Sequence, residues 1–108
     1  MIIHSSKVVF RDGKYYFKKG AEDTAELVTA QVLFFSESGA LECDFNFKQG
    51  VFNGLQKLYK DVYYQLSSEE NYLDGLLDGK STFYREGNVY KESMYKDGNL
   101  ITEHSTNK

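Results

Sequence analysis

Proline and tryptophan are absent from the chain, and cysteine and histidine are scarce: one Cys and two His in 108 residues. With no Pro- or Ser-rich stretch, nothing reads as a linker, and a single domain over 1–108 is expected. Cys43 alone can form no intrachain disulfide and no cysteine-based zinc site. It lies in an alternating segment and reads as a small buried hydrophobe. His4 and His104 lie near the termini and read as solvated. They supply neither a base for a nucleophile nor a ligand set, so no catalytic residue, metal or cofactor is expected. Glu69 and Glu70 are adjacent strand residues pointing to opposite faces, so they cannot share a proton. Gly75 to Gly79 lacks the spacing of a phosphate loop.

Positive charge is also short. Thirteen Lys and Arg face sixteen Asp and Glu, a net charge of −3, which argues against coating a nucleic acid. No run approaches the roughly 18 apolar residues of a membrane helix. The segment Met1–Lys7 has no apolar stretch of signal-peptide length. As it stands the chain reads as soluble and cytoplasmic; a signal removed upstream would make it secreted or envelope-associated.

What the sequence does hold is aromatic: nine Tyr and eight Phe. Disordered chains are depleted in such residues, and rings with polar edges suit a thin sheet better than a thick core. They recur with a template. The window from Phe47 through Gly50 and Gly54 to Tyr59 aligns without a gap to Tyr72, Gly75, Gly79 and Tyr84, at an offset of 25 residues. A third copy starts at Tyr95 and Gly98, and Gly87-Asn88-Val89 leads into it as Gly39-Ala40-Leu41 leads into Phe47. A period of this size means stacked supersecondary units. Within the units the period is two: Leu41 to Phe47 alternates apolar and polar strictly. Asp12-Gly13, Asp74-Gly75, Asp78-Gly79 and Asp97-Gly98 punctuate the chain as turns.

These signals predict strands near 7–11, 14–18, 30–36, 40–48, 54–60, 64–73, 79–84, 88–95 and 100–103. Residues 20–29 read as a loop or one helical turn, 59–64 as a longer or bulged turn, and 104–108 as a loose tail. The expected fold is all-β: an elongated, single-layer antiparallel sheet of successive hairpin repeats, near 8–30, 31–53, 54–78 and 79–101. Gly50, Gly54, Gly75, Gly79, Gly87, Gly98, Phe47, Tyr72 and Tyr95 are its structural positions.

The runs Asp12-Gly13-Lys14-Tyr15-Tyr16, Glu37-Ser38-Gly39-Ala40-Leu41-Glu42, Glu69-Glu70-Asn71-Tyr72-Leu73-Asp74-Gly75 and Tyr84-Arg85-Glu86-Gly87 resemble the bacterial variant of the MORN repeat. Over residues 8–101 the chain is similar to the YwqK-type antitoxin (immunity) family. It departs from that pattern at Thr29-Ala30, often Thr-Gly in the family, and at Tyr64, where Gly is expected. The resemblance implies a non-catalytic hairpin scaffold that binds a protein, a toxin polypeptide for the antitoxins. Some relatives carry a phosphatidylinositol-phosphate kinase label, but no kinase signature is present here. A structural or cell-envelope-associated repeat module is the alternative class.

Five residues are candidates for partner binding. Tyr59 and Tyr84 occupy equal repeat phase, five residues after Gly54 and Gly79; they either anchor a partner or pack across a neighbouring strand glycine. Asp44, Glu69 and Glu92 each precede a template aromatic by three residues. Three is odd, so they lie on the face opposite the aromatics. Two strands per unit would space them about 9–10 Å apart in an acidic column. Such a column either pairs with residues such as Lys57 and Lys80 or steers a basic partner.

Overall fold

The computed structural model describes residues 1–60 and 65–106. Its order begins β1 (Ile2–His4), a 3-10 turn at Ser5–Lys7, β2 (Val8–Arg11), β3 (Lys14–Lys19), β4 (Glu22–Leu27) and β5 (Ala30–Phe35). It continues with β6 (Leu41–Lys48), β7 (Val51–Phe52), β8 (Gly54–Lys60), β9 (Gln65–Leu73), β10 (Leu76–Arg85), β11 (Asn88–Lys96) and β12 (Asn99–Ser105). The molecule is all-β and elongated, 48 × 34 × 22 Å. Nine strands form one sheet in the order β1-β5-β6-β8-β9-β10-β11-β12, with β7 paired to β6. Every ladder in it is antiparallel except β1 with β5. Among the described residues no helix is long and apolar enough to cross a membrane.

The expected single layer describes β8 to β12. At the other end, β2, β3 and β4 form a separate three-stranded sheet that packs on β5 and β6. The core sits between the two: Val8, Val28, Val32 and Phe47 are buried, with Tyr15, Phe17, Phe34, Phe45 and Phe52 against them. Gly50 ties the layers together. Its N–H donates to Val28 O (2.8 Å), its carbonyl accepts from Tyr15 N–H (2.9 Å), and Val28 N–H donates to Tyr15 O (3.0 Å). Residues 20–29 are therefore corrected: most of them form β4, a strand whose partner β3 satisfies its backbone although its side chains show no apolar alternation. The N-terminal segment is also a strand, β1.

Glycine makes the turns. Asp12-Gly13, Gln49-Gly50, Asp74-Gly75, Glu86-Gly87 and Asp97-Gly98 have positive φ at both residues, 49–52° then 79–87°, as a two-residue hairpin turn requires. Asp78-Gly79 is corrected from turn to bulge. It lies inside β10 where the register with β9 shifts between Leu77 and Ser81, and Gly79 has φ 106°. Gly54 opens β8 with φ 98°.

The repeat is visible in the hydrogen bonds. The turn glycines Gly50, Gly75 and Gly98 donate to Val28 O, Phe52 O and Leu77 O, each at 2.8 Å. The residues before them, Gln49, Asp74 and Asp97, donate their N–H to Thr29 Oγ1, Asn53 Oδ1 and Asp78 Oδ2. Asn46 and Asn71, 25 residues apart, donate through Nδ2 to Leu55 O (2.6 Å) and Lys80 O (2.8 Å). The tail expectation is corrected as well: β12 runs to Ser105, and Thr106 N–H donates to Tyr90 O (2.7 Å). Of the turn expected at 59–64, a register shift at Leu58/Tyr59 is seen; residues 61–64, with the departure at Tyr64, and residues 107–108 lie outside the described residues.

Candidate binding face

Tracing the ladders strand by strand joins eight residues into one row across the large sheet. They are His4, Leu33, Asp44, Lys57, Glu69, Thr82, Glu92 and His104. Residues paired across a ladder share a face, so the three candidate carboxylates lie together on one side. They sit two strands apart, about 9–10 Å. The small sheet packs on the other face, against Val32 and Phe47, so among the described residues no second sheet covers this row.

Each carboxylate is held by a neighbour on the same face. Gln31 Nε2 donates to Asp44 Oδ1 at 2.8 Å. Tyr84 Oη donates to Glu69 Oε1 at 2.6 Å. Lys80 Nζ lies 3.1 Å from Glu92 Oε2. The bond to Glu69 favours the protonated phenol, and with slight burial it pushes the Tyr84 hydroxyl up to about 12. Thr82, between Glu69 and Glu92 in the row, is buried. Lys57 stands between Asp44 and Glu69 in the row.

Two candidates thus meet directly, Tyr84 and Glu69. Tyr59 does not join them: it pairs with Leu66 in the β8–β9 ladder. The idea that Tyr59 and Tyr84 cover Gly54 and Gly79 is corrected by register. Opposite Gly54 stands Tyr72, and opposite Gly79 stands Tyr95. The five-residue spacing carries Tyr59 and Tyr84 along the strand past those glycines. A Cβ on Gly79 would instead come within 3.3 Å of Asn71 Cβ, and one on Gly54 within 3.7 Å of Asn46 Cβ.

The opposite face differs in chemistry. Its rows run Phe34, Cys43, Leu58, Ser68, Phe83, Lys91 and Gln56, Glu70, Ser81, Ser93, Glu103. Cys43 is half-buried there, and burial first, then Glu42, raises its thiol above the ordinary range. That disfavours a reactive thiolate. Tyr72 is likewise raised, by burial, then Glu70 and Tyr95.

The histidines are tied into strands rather than loose. His4 stacks on Phe35 at 4.7 Å, and its Nδ1 accepts from Ser6 N–H; His104 pairs with Glu92. They occupy the two ends of the eight-residue row, about 33 Å apart at the usual strand spacing. Sequence reasoning did not find Gln31, the side-chain acceptors Thr29, Asn53 and Asp78, or Gly50 as the clasp. Asn46 and Asn71 lie four residues before Gly50 and Gly75, and Asn53 and Asp78 three residues after them, a spacing that is weak in composition and that only register exposes. Compared with family models, with curated proteins and with solved structures, the chain finds no match.

Proposed function

We propose that the chain is a non-catalytic β-repeat scaffold that binds a protein through the uncovered face of its large sheet. The observation behind this reading is the row itself. Three carboxylates at regular spacing are each held in place by Gln31, Tyr84 or Lys80, so little side-chain entropy is left to lose when a partner arrives. Half-buried Tyr59 and Tyr84 border the row and offer ring area beside fixed charge. The chain's net −3 adds long-range attraction for a basic polypeptide. In the antitoxin reading suggested by the repeat resemblance, that polypeptide is a toxin.

The experiment compares capture from a lysate of the source cells by the wild type and by Asp44→Lys, Glu69→Lys, Glu92→Lys combined. Proteins retained by the wild type are identified by mass spectrometry, and association rates are then measured at two salt concentrations. The expected result is a basic polypeptide whose association slows and loses its salt dependence with the triple variant. Equal capture and equal rates would overturn the assignment to this face.

A further inference from the structure

The hairpin β2–β3 carries the same template as the later units. Phe10-Arg11-Asp12-Gly13 repeats the spacing of Phe47 to Gly50, Tyr72 to Gly75 and Tyr95 to Gly98. In each later unit the aromatic lies across from a small residue of the preceding strand: Phe47 from Ala30, Tyr72 from Gly54, Tyr95 from Gly79. Among the described residues Phe10 has no such strand. β2 is the outer strand of the small sheet, and Phe10 is 58% exposed while Phe47 is 5% exposed. At the other end, β12 is the outer strand of the large sheet, and Leu100 and Ile101 are 53% and 60% exposed. Its counterpart β10 has its outer side covered by β11.

We infer that a second copy of this chain docks head to tail, the free edge of β2 pairing antiparallel with the free edge of β12. In the spacing of the repeat Phe10 then stands opposite Thr102, four residues after Gly98 as Gly54 and Gly79 are four after Gly50 and Gly75, with Leu100 and Ile101 alongside. Charge favours β2 over β4 for this contact. Residues 1–20 hold five Lys and Arg against one Asp, whereas β12 has no Lys or Arg and its Glu103 already lies 3.6 Å from Lys91 Nζ. The other free edge of the small sheet, β4, carries Glu22, Asp23 and Glu26 and would repel it. Ile101 follows Leu100 where Asn53 follows Phe52 and Asp78 follows Leu77, so the polar acceptor for the turn is missing. Asp12 is exposed, so its N–H stays open to solvent without that acceptor. The contact uses two different surfaces, so association continues beyond a dimer.

Sedimentation velocity over a wide concentration range tests this on the full chain. The expected result is a mass that rises with protein concentration and falls with added salt. Phe10→Ser should weaken association at least about tenfold, as loss of a central aromatic anchor does, with an unchanged far-ultraviolet spectrum. On a Cys43→Ser background, Phe10→Cys and Thr102→Cys chains mixed under oxidation should form the mixed disulfide dimer. A monomer at every concentration overturns the inference. So does Phe10→Ser associating like wild type, or Thr102→Cys cross-linking to itself as readily as to Phe10→Cys, which marks a symmetric β12–β12 contact.

Discussion

The two ends of the molecule reach stability by different means. At the β5–β6 end a second sheet covers one face, and the central positions are apolar: Val32 is fully buried and Phe47 nearly so. Rings there contact one another in a chain, Tyr15 to Phe47 at 4.6 Å and Phe45 to Phe52 at 4.8 Å. From β8 to β12 no second sheet is present among the described residues, and the buried central positions are small or polar: Gln56, Ser68, Ser81 and Ser93. Gln56 even substitutes for backbone, its amide exchanging two 2.8 Å bonds with Asn46 N–H and O. A single layer has no oily interior to fill, so its stability rests on ladders, turns and cross-strand pairs.

The sharpest way to break the covered end is Phe47→Ala. Truncating a ring that touches Tyr15, Phe34, Phe45 and Phe52 should cost about 3–5 kcal/mol, measured by urea unfolding. Gly50→Val should follow closely. A Cβ there would sit 2.7 Å from Leu27 Cδ2 and 3.0 Å from Tyr15 O, at φ +82°. A loss of about 3 kcal/mol is expected from overpacking and backbone strain together. Gly13→Val, with nothing within 4 Å of its Cβ at φ +79°, isolates the strain alone and should cost about 1–2 kcal/mol. Equal losses at the two sites would show that Gly50 does not clasp the layers.

In the single layer the expected effects shrink. Gly79→Val should cost about 1–3 kcal/mol, from φ +106° and the approach to Asn71 Cβ. Ser68→Ala should be within about 1 kcal/mol of neutral, since its buried Oγ has no hydrogen-bond partner among the described residues. An alkaline titration sharpens the picture further. Tyr84 titrates near 12 when folded, above its ordinary value near 10. Its contribution is therefore complete below pH 10 and lost as pH rises to about 12. Glu69→Gln should return that tyrosine toward 10, read by tyrosinate absorbance. An unchanged titration would remove the Tyr84–Glu69 bond from the account.

The comparison also explains what the sequence could disclose. Alternation from Leu41 to Phe47 and the 25-residue offset made the large sheet legible, because side-chain period and turn glycines are local properties. The carboxylate row followed from parity alone. β4 was hidden because Glu22, Asp23, Thr24 and Glu26 give it no apolar alternation, and only pairing with β3 makes it a strand. The second layer was hidden for a related reason: that Val8 and Val28 meet Val32 is a long-range fact that no window of residues contains. Gly79 and Gly13 look alike in sequence, each after Asp. Partner register alone makes one a bulge and the other a turn.

The bonds from the turn glycines have a direction. Every donor, Gly50, Gly75 or Gly98, belongs to a later hairpin and every acceptor to an earlier one. Removing the last hairpin uncovers only a carbonyl, whereas removing an earlier one leaves the N–H of the next hairpin's turn glycine without its acceptor. Each hairpin thus carries the acceptor for the turn of the one after it. Amide hydrogen exchange should record this as a gradient, slowest at Gly50 and fastest along β12, so that the chain opens like a zip from one end only.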